Sequence, residues 1–380
     1  MEKVAIIRGS NLNKFEMQNY EPLLTDYELV GFTTTKHNYD TSAIKFPVIY
    51  LRSLAETGCR FRRVHKLIAK KLGNEDYLFG LEEQLKGFDL VHTAELYTSY
   101  TKQALKVKRL GYVKKVVTTV WENIPFLEYR DPSRRLIKDW EEIDHFCVTS
   151  ERAREMLIFY GVNKDKISVI MPGIDTQHFS TREENSVRKS LKISKDAFVI
   201  MSSGRLVWEK GMLNIVLALK KILSIRQNLD AHLVLVGSGP EESLIKLVVK
   251  NLNLTKRVHF LTAPYEKMPN YYAASDVFIL PSIPTPIWQE QFGMVFAEAM
   301  ACGKVVIGGL SGSIPEVIDK AGLLVQPADW YDIYEKLDFV ISNPDKMNDL
   351  KKKARTRAEN NFSNKVVAEK IEKVYKKVLN

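Results

Sequence analysis

The sequence predicts an α/β protein of two doubly wound domains in tandem, and three observations carry that prediction. Short β-branched runs alternate with longer amphipathic stretches from one end of the chain to the other. The alternation pauses over residues 172–196, PGIDTQHFSTREENSVRKSLKISKD, a polar stretch opening on a Pro-Gly turn signal, and then restarts. A chain of 380 residues exceeds most single cores, which makes two domains the default.

In the first half the strand candidates are VAIIR (4–8), LVGFTT (29–34), VIYL (48–51), DLVHT (89–93), VVTTVW (116–121), HFCVTS (145–150) and ISVIM (167–171). Several are near-continuous apolar runs, the pattern of parallel strands covered by helices on both faces. After the seam come FVIMSSG (198–204), HLVLVGSG (232–239), VHFLT (258–262), VFILPS (277–282), VVIGG (305–309) and LLVQP (323–327). MLNIVLALKKILSI (212–225) and EESLIKLVVKNL (241–252) have helical spacing of apolar residues and separate the strands. From Ile341 onward the chain reads as helical but too charged to make a core of its own.

Composition narrows the function. With 45% hydrophobic and 27% charged residues the chain reads as soluble and globular, and no apolar run reaches the length of a spanning helix. The three cysteines, Cys59, Cys147 and Cys302, are far apart and fit a reducing cytoplasm better than a disulfide framework or a zinc site. The net charge of +10 gathers in CRFRRVHKLIAKKLG (59–73) and KQALKVKRLGYVKK (102–115). These are read as solvated amphipathic helices, with peripheral attraction to an anionic membrane or a polyanionic substrate as the sharper alternative. No nucleic-acid module is recognisable.

In a doubly wound sheet, ligands sit beyond the carboxyl ends of the strands. Arg205 and Lys210 follow one such strand, a planar fork and a point charge suited to a diphosphate, and Gly204 clears the backbone for close approach. Gly237 and Gly239 make a tight turn that lacks the third glycine of a dinucleotide fingerprint, Glu242 standing in its place. Glycines 308, 309 and 312, ahead of Pro315, read as an anion-friendly nest or as a purely structural loop. In WQEQFGMVFAEAM (288–300), Gly293 opens an apolar helix that carries Glu298 far from water, with Glu290 eight residues earlier. A carboxylate would repel phosphate. The two glutamates are therefore assigned to hydroxyl groups and the two cations to phosphates, a division that describes a nucleotide-sugar.

Together GRLVWEKG, LVGSGPEE, YYAASDVFILPS, EQFGMVFAEAMACGKVVIGGLSGSIPEVI and GLLVQPAD resemble the C-terminal half of the family 4 (group 1) retaining glycosyltransferases. The segments occur in family order over residues 204–329, while DLVHTAE and VIMPGIDTQHF resemble the strand ends of the acceptor half. The resemblance implies a GT-B fold: two Rossmann-like domains facing across a cleft, with a C-terminal helix returning to the first. Residues 1–178 with 363–380 would bind the acceptor, and residues 190–362 the donor.

It also implies residue roles. Arg205 and Lys210 would bind the donor diphosphate, flanked by Gly204 and Gly237. Glu298 would hold the ribose hydroxyls. Glu290 would contact the transferred sugar, with Phe292, Gly293 and Met294 presenting backbone N–H groups. No DxD motif occurs, and no catalytic metal or other cofactor is expected; a UDP-, GDP- or ADP-sugar serves as donor.

Departures from the family pattern are informative. Where many members carry His-Asp after the strand matching VVTTV, this chain has Trp121-Glu122-Asn123, so Glu122 replaces histidine as the candidate there. His92 is a further catalytic candidate and equally a structural histidine. Gly9, Glu16 and Glu95 are acceptor-side candidates. The IPTPIW insert before Glu290 lengthens the usual spacing and is expected to shape the sugar pocket. The sequence thus predicts a cytoplasmic or membrane-peripheral retaining hexosyltransferase acting on a glycan or lipid-linked acceptor. A sugar phosphorylase, a nucleotide-sugar epimerase and a non-catalytic nucleotide-sugar-binding protein are its rivals.

Overall fold

The computed structural model describes residues 1–57, 74–181 and 186–380. Every apolar run read as a strand is one: β1 (Glu2–Ile7), β2 (Tyr27–Thr34), β3 (Val48–Leu51), β4 (Leu90–Ala94), β5 (Lys115–Val120), β6 (His145–Val148) and β7 (Ile167–Val169) in the first half. The second half supplies β8 (Phe198–Ser203), β9 (Ala231–Val236), β10 (Val258–Leu261), β11 (Val277–Leu280), β12 (Val305–Gly309) and β13 (Leu323–Val325). The chain divides into two compact units, Met1–Ile174 with Asn364–Asn380, and Asp175–Ser363. Residues 175–178, grouped with the first domain on sequence, go with the second unit. There Phe179 packs edge-on against Tyr265 and Tyr272, with ring centroids 5.5 and 6.1 Å away.

The first unit holds a seven-stranded sheet in the order β3-β2-β1-β4-β5-β6-β7, parallel throughout. Alternation along β1 explains its two-sided burial. Ala5 and Ile7 enter one core with Phe32, Tyr100 and Phe146, and Val4 and Ile6 enter another with Leu12, Tyr20 and Tyr27. The second core is closed by the C-terminal helix Asn364–Leu379, whose Val367, Ala368, Ile371, Val374, Tyr375 and Val378 form a buried stripe. This tail has no core of its own and completes that of the first unit. Asn364 N donates to Ile174 O at 3.0 Å where it enters, and Lys377 Nζ to Asp165 O at 2.7 Å near its end.

The second unit holds a six-stranded parallel sheet in the order β10-β9-β8-β11-β12-β13. Helix Met212–Ile225 coincides with the predicted amphipathic stretch and buries Ile215, Val216, Leu219 and Ile222. In both sheets the strand order turns back on itself once, between β1 and β4 and between β8 and β11. These are the positions where a doubly wound sheet leaves a crevice at its carboxyl edge.

The basic stretch 59–73 and Cys59 lie outside the described residues, and the other two cysteines are free and buried. The stretch 102–115 is not a bare cationic surface. Lys106 pairs with Glu82, Lys108 with Asp144, Arg109 with Asp139 and Glu142, and Lys114 with Asp89. No helix among the described residues is long and apolar enough to cross a membrane.

Candidate functional site

The loop after β8 and the loop after β11 are packed together by glycines. Gly204 follows β8 at φ +141°, and a Cβ on Gly237 would collide with its carbonyl. A Cβ on Gly211, itself left-handed at φ +66°, would collide with the carbonyl of Pro281 just past β11. Gly237 and Gly239 are thus required by loop-on-loop packing, Gly239 lying against the backbone of Leu206. Between these glycines Arg205 is exposed, and a short helical turn, Trp208–Lys210, delivers Lys210.

Lys210 and Glu290 meet there. Lys210 Nζ lies 2.7 Å from Glu290 Oε2, with side-chain exposures of only 16% and 12%. Ser282 Oγ donates to the same oxygen at 3.0 Å. The IPTPIW insert closes over the pair: Thr285 N donates to Trp288 O at 2.7 Å, and this tight turn places the Trp288 ring 5.0 Å from Lys210 Nζ. Aromatic cover and partial burial strengthen an ion pair by excluding water from it. Sequence reading named both charged residues but not Ser282 or the Trp288 contact; the insert was the available signal.

The glycine loop after β12 fixes Glu290 from behind. Gly312 lies so close to the Glu290 carbonyl that a Cβ would overlap it, and Ser313 N donates to that carbonyl at 2.9 Å. Ser311 Oγ lies 3.5 Å from Glu290 N. The loop read as an anion nest therefore spends its Ser313 N–H on the backbone of the site. Gly293, at φ +86°, caps the helix Met294–Ala301, whose first turn leaves N–H groups without intrahelical partners. Phe292 contributes backbone only, since its ring is buried against Phe362 at 5.6 Å.

Glu298, assigned to the ribose hydroxyls on sequence, has partners within its own unit. It is 3% exposed, and each carboxylate oxygen accepts from a tyrosine of the same unit, Tyr265 at 2.9 Å and Tyr272 at 2.7 Å. Burial pushes its carboxyl up, and the two hydroxyls pull against that shift. The buried charge thus has partners within the chain, which the sequence reading had sought in a ligand. The signal was present in YEKMPNYYAASD, where two tyrosines seven apart share a face.

In the first unit, His92 is a core residue, the structural alternative weighed for it on sequence. It is fully buried, with Nδ1 2.7 Å from Tyr375 Oη and Nε2 2.8 Å from Thr119 Oγ1. Burial, with Arg8 nearby, depresses its pKa far below the usual imidazole value, so the ring is neutral. Glu16 is likewise committed, its carboxylate 2.6 Å from the buried guanidinium of Arg8, which also reaches Tyr20 Oη at 2.7 Å. Gly9 turns the chain after β1 at φ +52° against the Tyr100 ring.

Glu95 and Glu122 are both buried and lie just past the carboxyl ends of the paired strands β4 and β5. Arg134 approaches Glu122 Oε2 at 3.7 Å and stacks on the Tyr97 ring at 4.7 Å. Among the described residues no cluster of three or more His, Cys, Asp or Glu could hold a metal ion.

Comparison with known proteins places this geometry in a family. The profile described as Glycosyl transferases group 1 matches residues 183–357, and that of Glycosyltransferase Family 4 matches residues 50–178. An uncharacterized glycosyltransferase of Methanocaldococcus jannaschii is 28% identical over 287 residues, 72% of this chain and 69% of that protein. The GDP-mannose-dependent monoacylated alpha-(1-6)-phosphatidylinositol monomannoside mannosyltransferase of Corynebacterium glutamicum is 30% identical over 206 residues. That match covers 52% of this chain and 53% of the relative. Among solved structures, a glycosyltransferase from Rickettsia africae superposes with a TM-score of 0.76 at 20% identity, covering 100% of this chain and 99% of that one. HepE of Anabaena in complex with UDP superposes at 0.77 and 17% identity, covering 99% of this chain and 100% of that one. These likenesses are of fold, the GT-B fold.

Proposed function

Because this chain belongs to the group 1, family 4 glycosyltransferases, we propose that it moves a hexose-type sugar from a nucleoside-diphosphate donor to a hydroxyl of a glycan or lipid-linked acceptor, with retention at the anomeric carbon. The observation that carries this reading is the Lys210–Glu290 pair, shared with Ser282 and roofed by Trp288, where the second sheet reverses its strand order. Arg205, exposed beside it, and Lys210 supply positive charge for a departing diphosphate. Glu290, with one oxygen engaged by Lys210 and Ser282, orients a sugar hydroxyl. Glu298 acts one layer deeper, where it accepts from the Tyr265 and Tyr272 hydroxyls and holds the packing beneath the site.

In the reaction so assigned, the bond from the anomeric carbon to the diphosphate oxygen breaks. The new bond to the acceptor oxygen forms on the same face, and the acceptor proton passes to the departing phosphate. No separate general base is required. The names of relatives leave the donor open: the corynebacterial enzyme is GDP-mannose-dependent, and HepE has been solved with UDP-glucose.

A donor panel tests the reading. Nucleotide release is measured from UDP-, GDP- and ADP-sugars, with and without lipid acceptors, beside Glu290→Ala and Arg205→Ala. Turnover on one donor, lost in both variants, supports it. Binding without turnover on every donor overturns it.

A further inference from the structure

The donor chemistry assigned above uses residues of the second unit, and an arrangement in the first unit offers a place for the other reactant. Glu95 and Glu122 follow β4 and β5, parallel neighbours with Ala94 opposite Thr119. Glu95 Oε1 accepts from the Trp121 amide at 3.0 Å. Its other oxygen, Oε2, is buried and has no hydrogen-bond partner among the described residues. Glu122 Oε1 accepts from the amides of Asn123 and Ile124 at 2.9 and 3.0 Å. Its Oε2 faces the Arg134 guanidinium at 3.7 Å. Both acids line one cavity of about 10 Å³, bordered also by Tyr97 and Arg134. That volume is about the space of one oxygen atom with its hydrogen, too small for a sugar ring.

A buried carboxyl oxygen without a donor is an uncommon state for a native protein, and it points to a group supplied from outside. We infer that Glu95 and Glu122 form a hydroxyl-binding subsite, in which one hydroxyl of a polyhydroxylated acceptor accepts from Glu95 and donates to Glu122. This rests on the transferase reading and adds the acceptor side to it. Burial, reinforced by the Glu122 charge, pushes the Glu95 carboxyl up to about 8, so near neutral pH it holds a proton. The other titratable and charged groups around it are Tyr97, Tyr100, Glu128, Arg134 and Tyr160. Tyr97 and Tyr100 are neutral, burial raising their hydroxyls far above the working range. A Glu95 that holds its proton can donate to a hydroxyl beside the acceptor oxygen of Glu122, so a single hydroxyl finds both a donor and an acceptor there.

The test uses methyl α-D-glucopyranoside as probe, titrated against the full chain by saturation-transfer NMR. Three proteins are compared, wild type, Glu95→Gln and Glu95→Leu, with thermal melts as the check on folding. Wild type is expected to bind, and to bind at least tenfold more weakly once the pH is raised from about 6.5 to about 9.5 and Glu95 ionises. Glu95→Gln, which keeps a donor at all pH values, should bind without that pH dependence, and folded Glu95→Leu should not bind. Absence of binding to wild type, as a tightly held water in the cavity would give, overturns the subsite. So does equal binding by wild type and Glu95→Leu. Failure of every donor in the panel with probe binding intact would overturn the transferase reading alone; donor turnover without a Glu95 effect would overturn the subsite alone.

Discussion

The two sheets present the same kind of edge with opposite charge logic. Beyond β8 and β11 the cation and the acid at the loop ends face each other: Lys210 lies 2.7 Å from Glu290, and Ser282 shares the carboxylate. Beyond β4 and β5 two carboxyl groups stand together, and the nearest guanidinium is 3.7 Å from one of them. A doubly wound sheet gathers loops at its carboxyl edge whatever their sequence. What each edge can bind is then set by sign. Cations backed by a carboxylate suit a sugar diphosphate, and a proton-holding Glu95 beside a second acid suits a hydroxyl.

The largest effect that would sharpen this contrast is on the cationic edge. Lys210→Ala is expected to lower kcat by about 10²–10³, the range for loss of one preorganised group facing developing charge. It also leaves Glu290 without its counter-charge. Steady-state rates with the best donor of the panel decide it, and a loss under tenfold would break the assignment of this edge to the diphosphate.

The acidic edge makes a pH prediction. Glu95 titrates at about 8 in the folded chain against 4.5 for the free group, because burial and Glu122 both disfavour its charge. The native state therefore keeps a proton that the unfolded chain has already released. Native stability falls as pH rises between those values, by at most about 1.4 kcal/mol per pH unit from this group. Glu95→Gln has no such proton. Its stability relative to wild type should rise by a few kcal/mol between about pH 5 and about pH 8, read as urea midpoints, and a constant difference would contradict it.

A smaller effect belongs to the tail. Tyr375→Phe removes the 2.7 Å partner of His92 Nδ1 and leaves a buried ring nitrogen unsatisfied, at a cost of about 1–3 kcal/mol. Chemical denaturation should show that loss while kcat on the best donor stays within twofold. The smallest effect concerns the surface. Lys106 pairs with Glu82 at 3.2 Å on a largely exposed side chain, so Lys106→Ala should change stability by less than about 1 kcal/mol. Vesicle co-sedimentation should not depend on it. A marked loss of binding to anionic vesicles would instead show that the 102–115 stretch, despite its ion pairs, is a membrane contact.

Much of this was legible in the chain because the signals are local. Each strand of both sheets is an apolar β-branched run, and the restart after the polar seam marks the second unit. Lys210, Glu290 and Gly293 were singled out because they follow strands or open a helix. What stayed open was settled by residues distant in sequence. His92 looks like a strand-end catalyst, yet it faces Tyr375, 283 residues later. Glu16 looks free, yet Arg8 holds it from within the core. Glu298 looks stranded, yet Tyr265 and Tyr272 reach it from another helix. The 102–115 stretch, read as a solvated helix with anionic attraction as the sharper alternative, meets Glu82, Asp89, Asp139, Glu142 and Asp144, which lie elsewhere in the chain.

By itself, then, the sequence determined the alternation of strands and helices, the two sheets and the family to which they belong. These follow from hydrophobic periodicity and from motifs contiguous in the chain. The tertiary structure alone decided which charges are free to meet a ligand. A carboxylate must find partners once it leaves water, and whether those partners come from the chain or from a substrate depends on packing across many residues. Glu298 found tyrosines and Glu290 found Lys210. Among the described residues, one oxygen of Glu95 found no hydrogen-bond partner.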